Sequence, residues 1–132
     1  MPERHTTMSH YESKLYMGSV AFFSDTKGEY VQKFSQQEVE DYIASVQDEY
    51  NYIIPIRITP VTFISGSDYR ENGWEISAIN YPKIDTKPET IDKFMSHLAE
   101  LLVTKFSQHR ICVTNGELIT MFVKDWDEGL KY

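Results

Sequence analysis

Arg57 is a lone cation in the run IIPIRITPVTF, and Glu75 is a lone acid in a second apolar run, GWEISAINYP. A guanidinium set among aliphatic side chains can grip a carboxylate or phosphate through two parallel hydrogen bonds, and a nearby carboxylate can fix its orientation. Thr59, Ser77 and Tyr81 share the alternation of Arg57 and Glu75, so they add hydroxyls to the same row. Between the two runs, SGSDYRENG supplies Asp68, Tyr69, Arg70 and Glu71. Arg57 and Arg70 can hold an anionic ligand such as a nucleotide, with Tyr69, Trp74 or Tyr81 stacking on it. Glu75, with Asp68 or Glu71, can also serve as an acid/base pair. The plainer alternative is a cross-strand ion pair of Arg57 with Glu75, worth about 0.2–1 kcal/mol and needing no ligand.

Other reactive residue types carry no comparable pattern. His5 and His10 fall in a polar opening segment, His97 on a polar helical face and His109 after a helix, without the spacing of a metal site. No metal or other cofactor is expected. Neither Gly-x-Ser-x-Gly nor Gly-x-x-x-x-Gly-Lys occurs. Cys112, the single cysteine, lies in the apolar run ICV and reads as a buried strand residue. With no possible internal disulfide, no apolar run of about 20 residues and a polar start, the chain reads as cytoplasmic rather than membrane-bound. The net charge of −7 disfavours nucleic acid and anionic lipid as partners, and the basic residues are scattered rather than clustered.

The elements that must position these residues follow from periodicity. Ile54, Ile56 and Ile58 alternate with Pro55, Arg57 and Thr59, and Trp74, Ile76 and Ala78 alternate with Glu75, Ser77 and Ile79, so 50–82 reads as a hairpin with a loop over 65–73. Pro55 and Pro60 place its first strand at a sheet edge, and the change of phase at Val61 and Phe63 predicts a bulge at Thr59-Pro60. LYMGSVAFF and EYVQKF flank the turn SDTKG as an earlier hairpin, and RICVT and ELITMFV flank Asn115-Gly116 as a later one. Ser35 with Glu38, and Thr86 with Glu89, read as capping boxes opening two helices, the second running over 87–106. The two boxes lie 51 positions apart, which suits either an internal duplication or recurrence of a common unit.

At 132 residues the chain is long enough for one cored domain. The expected organisation is an arm over 1–13, a single α+β domain over 14–125 and a tail over 126–132 that packs Trp126. The order ββαββαββ predicts a two-layer α+β fold with a ferredoxin-like split βαβ core, taken from the second strand through the fifth, and an extra strand at each end. Both helices then cover one face and leave the row of Arg57 open. An open, partly apolar face suits another protein or a second copy of the chain. With no catalytic motif present, the first reading is a non-catalytic binding protein: an adaptor, inhibitor or regulatory subunit, by analogy with viral counter-defence proteins. The readings behind it are a binder of a small anionic ligand and a small acid/base enzyme using Glu75.

Overall fold

The computed structural model describes residues 7–25, 28–81 and 86–123. In chain order these form β1 (Glu12–Gly18), β2 (Val20–Asp25), β3 (Gly28–Lys33), α1 (Gln36–Tyr50), β4 (Arg57–Ile64), β5 (Arg70–Ile79), α2 (Pro88–Lys105), β6 (Arg110–Asn115) and β7 (Leu118–Val123). An antiparallel sheet of five strands runs β4-β5-β1-β6-β7, and β2 pairs with β3 apart from it. The mixed α+β class is as expected.

Alternation decides which side of the sheet meets the helices. Leu15 and Met17 of β1, Trp74, Ile76 and Ala78 of β5, and Ile111 and Val113 of β6 are buried in one core. Val39, Ile43 and Val46 of α1 join it, with Ile91, Phe94, Met95, Leu98, Ala99, Leu102 and Val103 of α2. Both helices therefore stack on the same side. Aromatic edges close the layer: the Phe34 ring meets the Phe106 ring with centroids 4.8 Å apart, and the Tyr52 ring lies 4.3 Å from that of Phe94. The first is an edge-to-face pair and the second a tilted one, and aromatic pairs in such offset geometries add to the area they bury.

The strand order is compatible with a ferredoxin-like split βαβ, although its members are not those expected. The first core strand is β1, and the β2–β3 pair is an insertion before α1. A single residue causes this. Ser19 interrupts the run read as one strand: its N–H and hydroxyl both donate to the Asn72 carbonyl, at 2.9 and 2.7 Å, and its own carbonyl accepts from Phe34 N–H at 2.8 Å. β4 does sit at the sheet edge, in line with its prolines, but it begins at Arg57 and carries no bulge. Register is continuous from Arg57 opposite Ser77 to Ile64 opposite Arg70, so Val61 and Phe63 lie on the same face as Arg57. The expected loop over 65–73 shortens to 65–69 because β5 starts at Arg70.

The two helix starts differ. Ser35 and Glu38 complete the capping box of α1. At α2 the N-cap is Lys87, with no side-chain hydrogen bond and Pro88 in the first turn, so the Thr86 box does not form and the idea of a repeated unit loses its second member. Trp126 and the tail, His5, and the junction at 82–85 lie outside the described residues.

The start of β1 is tied down by polar contacts. Tyr11 N–H donates to Asn80 Oδ1 at 2.7 Å, Asn80 Nδ2 donates to the Ser9 carbonyl at 2.6 Å, and the Tyr11 phenol donates to the Asp92 carboxylate. Burial, then the Asp92 hydrogen bond, push the Tyr11 pKa well above the ordinary phenol range. A raised folded-state pKa makes this contribution complete below the unfolded value of about 10, and it fades as pH rises towards the folded value.

Two outcomes are expected of the helix cap and the buried phenol. Ser35→Ala should lower unfolding free energy by about 1 kcal/mol, whereas Thr86→Ala should leave it nearly unchanged, as read from urea midpoints. Wild-type stability should also fall above pH about 10 more steeply than that of Tyr11→Phe, which lacks the titrating phenol.

Candidate functional site

The face of the sheet away from the helices brings side chains together in rows across strands. Register puts Phe63 opposite Glu71, Val61 opposite Gly73, Thr59 opposite Glu75 and Arg57 opposite Ser77. The same rows continue onto β1 as Gly18 beside Gly73, Tyr16 beside Glu75 and Lys14 beside Ser77. Cys112 extends the Tyr16 row on β6, so it is a half-buried residue of the open face rather than a core residue.

One row has no side chains at its centre. A Cβ on Gly73 would collide with the Met17 carbonyl and come within 2.7 Å of the Phe63 ring, and a Cβ on Gly18 would collide with the Glu71 carboxylate. The Gly18–Gly73 pair is thus a patch without side chains of its own, with Gly73 buried and Gly18 half-buried beneath Phe63 on one side and Glu71 on the other. Tyr69 adds its phenol, which donates to the Glu71 carboxylate. That hydrogen bond, with burial and the carboxylate's charge behind it, raises the Tyr69 pKa, so the phenol stays a donor at neutral pH. A recess of about 260 Å³ along the β4–β5 pair belongs mainly to the other face: Pro60, Thr62, Asn72 and Trp74 line it from there, with only Val61 and Gly73 from the row of the patch.

Two rows further along, the ion pairs differ from those expected. Arg57 Nη2 donates to Glu12 Oε2 at 2.9 Å, not to Glu75. Lys14 Nζ lies 3.5 Å from Glu75 and 3.7 Å from Glu12. Glu75 first, then Glu12, raises the Lys14 pKa. The result is a line of alternating charge, Arg57, Glu12, Lys14, Glu75. Arg57 itself remains 63% exposed, outside any helix.

The structure therefore gathers Arg57, Thr59, Glu75 and Ser77 on one face, with Ser77 buried between its neighbours. Tyr69 joins through Glu71. Arg70 pairs with Ile64 and alternates to the opposite face, so it does not form a clamp with Arg57. Asp68 sits exposed in the loop, and Tyr81 lies exposed beyond the end of β5.

Gly18, Gly73, Glu12, Lys14 and Tyr16 do not stand out as site residues in the sequence. The available signal was a glycine inside a strand pattern, which marks close approach of another backbone. What it approaches depends on the pairing of β1 with β5, a contact across some sixty positions of chain that local periodicity does not specify.

The larger cavity, of about 500 Å³, lies on the helical layer among Gln32, Phe34, Glu38, Asp41, Tyr42, Lys105 and Phe106, and none of the expected site residues lines it. The glycine patch is favoured as the site because carboxylate, phenol and aromatic ring converge there over backbone that has no side chains of its own. Among the described residues no cluster of three or more His, Cys, Asp or Glu could hold a metal, and His97 instead pairs its Nδ1 with the Tyr52 hydroxyl at 3.3 Å. No helix among them is long and apolar enough to cross a membrane.

No protein-family model matches the chain, and comparison with curated proteins finds no match. Two solved structures share its fold. A phage SAM lyase in complex with S-methyl-5'-thioadenosine superposes with a TM-score of 0.64 at 11% identity, over 96% of this chain and 98% of that one. A phage SAM lyase in the apo state superposes with a TM-score of 0.55 at 8% identity, over 88% and 90% of the two chains. This finding corrects the expectation of a non-catalytic adaptor, inhibitor or regulatory subunit, which rests on the lack of a nucleophile or phosphate-loop motif. In those two proteins the shared fold is that of a lyase.

The glycines separate stability from site geometry. Gly73→Ala must displace backbone and should cost about 1–3 kcal/mol. Gly18→Ala need only push aside the flexible end of Glu71, so its melting temperature should stay close to wild type.

Proposed function

We propose that this chain is an enzyme that cleaves a sulfonium nucleoside of the SAM type, releasing a neutral thioether such as S-methyl-5'-thioadenosine, on the open face around Gly18, Gly73 and Glu71. The observation that carries this reading is the Glu71 carboxylate seated over Gly18, on a fold that matches a SAM lyase across nearly its whole length.

The chemistry suits a site without a nucleophile motif. When a sulfonium carbon–sulfur bond breaks, the electron pair goes to sulfur and the leaving group departs neutral, so no acid is needed there. The remaining four-carbon fragment restores its charge balance by losing a proton or by closing on its own carboxylate. Water takes no part. The protein's contribution is then placement and electrostatic field.

Charge sets where Glu71 is useful. A carboxylate directly on the sulfur would favour the cationic ground state over a transition state in which that charge is disappearing. Glu71 is better used on the ribose, where a carboxylate accepts from hydroxyl groups. The Tyr69 phenol holds it in place, and the Phe63 ring offers the purine a face against which to stack. The sulfur then falls near the row of Tyr16 and Glu75. There the Glu75 charge is partly offset by Lys14, 3.5 Å away, so it opposes the loss of positive charge less.

Purified chain incubated with SAM should yield S-methyl-5'-thioadenosine by reversed-phase chromatography. Glu71→Gln and Gly18→Ala should each weaken thioadenosine binding by about tenfold, as expected for loss of a hydrogen bond to a charged group, while remaining folded. SAM left intact by wild-type protein, or undiminished binding and turnover by both variants, would contradict the proposal.

A further inference from the structure

We infer that the line of alternating charge, Arg57, Glu12, Lys14 and Glu75, holds the amino-acid end of the substrate, exchanging its internal ion pairs for the substrate's carboxylate and ammonium. This rests on the proposed cleavage reaction and adds which residues read the half of the substrate that the thioether product lacks.

Distance along the strands supports this assignment. Lys14 is four residues from Gly18 along β1, and Ser77, the partner of Arg57, is four residues from Gly73 along β5. Four strand residues span about 14 Å, comparable with the length of an adenosyl amino acid lying extended. With the nucleoside on the glycine patch, the amino acid reaches the Arg57–Lys14 row and the sulfur lies between them.

Charge supports it independently. The line contains two cations and two carboxylates, linked at 2.9, 3.7 and 3.5 Å. It is neutral as a whole and offers both signs within a few ångströms, which matches an α-amino acid zwitterion and not a simple anion or cation. Each substrate group finds two candidate partners: its carboxylate Arg57 or Lys14, its ammonium Glu12 or Glu75. Before binding, the four side chains neutralise one another, so none waits unpaired. The Arg57 end of the line is the exposed one, 63% against 23% for Glu12, and a pair with one partner in solvent is weak. Opening the Arg57–Glu12 pair to a ligand therefore costs little. Glu75 and Glu12 also keep the Lys14 ammonium protonated.

Separate rows for the two halves of the substrate also favour turnover. Once the bond between nucleoside and amino acid is gone, the thioether has lost its hold on the charged line and can leave.

Calorimetry with S-adenosylhomocysteine, which keeps the amino acid but has no sulfonium to cleave, and with S-methyl-5'-thioadenosine tests this directly. Lys14→Ala and Arg57→Ala should each weaken S-adenosylhomocysteine by about tenfold and raise the KM for SAM, with thioadenosine affinity unchanged; Lys14→Ala should also lower kcat by unmasking Glu75, and Lys14→Arg should restore binding. Equal losses for both ligands, or no loss for either, would overturn the inference while leaving the cleavage reaction standing if wild-type protein still forms the thioether. Wild-type protein that binds neither ligand would overturn both.

Discussion

Gly73 has no space for a side chain, because the Met17 carbonyl and the Phe63 ring occupy it. This close approach of β5 to β1 lets β1 lie in the middle of the sheet, hydrogen-bonded to β5 on one side and β6 on the other. It also leaves, on the face opposite the helices, a strip of backbone with no side chains of its own, covered only by Phe63 and Glu71. Just past Gly18 the chain turns away, since Ser19 spends its N–H and hydroxyl on the Asn72 carbonyl. The β2–β3 pair is diverted from the sheet at that point. One tight contact therefore sets both the topology and the place where a ligand could reach the sheet.

The two faces are built by different physics. On one, Leu15, Ile76, Ile91, Phe94 and Leu98 are fully buried, and the driving force is removal of apolar surface from water. On the other, the number of charges increases along the strands from Phe63 with the single carboxylate of Glu71, past the glycines, to the line of four charges ending at Arg57 and Lys14. Such a gradient provides an aromatic end with one carboxylate, a middle without side chains of its own and a charged end. An adenosyl amino acid has the same sequence of properties along its length. The likeness to the SAM lyases bears on the fold, and the gradient is the local reason for placing that chemistry on this face.

Much of the architecture was legible because it depends on local signals. The Ser35–Glu38 box and the helical stripe from Ile91 to Leu102 act within a few residues of chain, and both are present in the structure. The hairpin expected around Asn115-Gly116 is present too, but its turn falls one residue later, at Gly116-Glu117, because Asn115 pairs with Leu118 as the last residue of β6. The edge position of β4 was legible from its prolines for the same reason. What failed was non-local. Ser19 looks ordinary until Asn72 is beside it, and a phase change after Pro60 suggests a bulge unless the outer face itself tolerates Val61 and Phe63. The partner of Arg57 was misassigned because Glu12 belongs to a strand distant in sequence. The site was half visible: Tyr69 and Glu71 stood out as a polar cluster, but the glycines that give Glu71 its seat carry no functional groups to notice.

A nucleoside seated on the Gly18–Gly73 patch beneath Glu71 is the premise on which the proposed chemistry stands. Amide resonances of isotopically labelled protein titrated with S-methyl-5'-thioadenosine test it most directly. The largest shifts are expected at Gly18, Glu71 and Gly73, with those of Tyr42 and Phe106 on the helical layer nearly still. Shifts concentrated at Tyr42 and Phe106, or none at the glycines at saturating ligand, would contradict it.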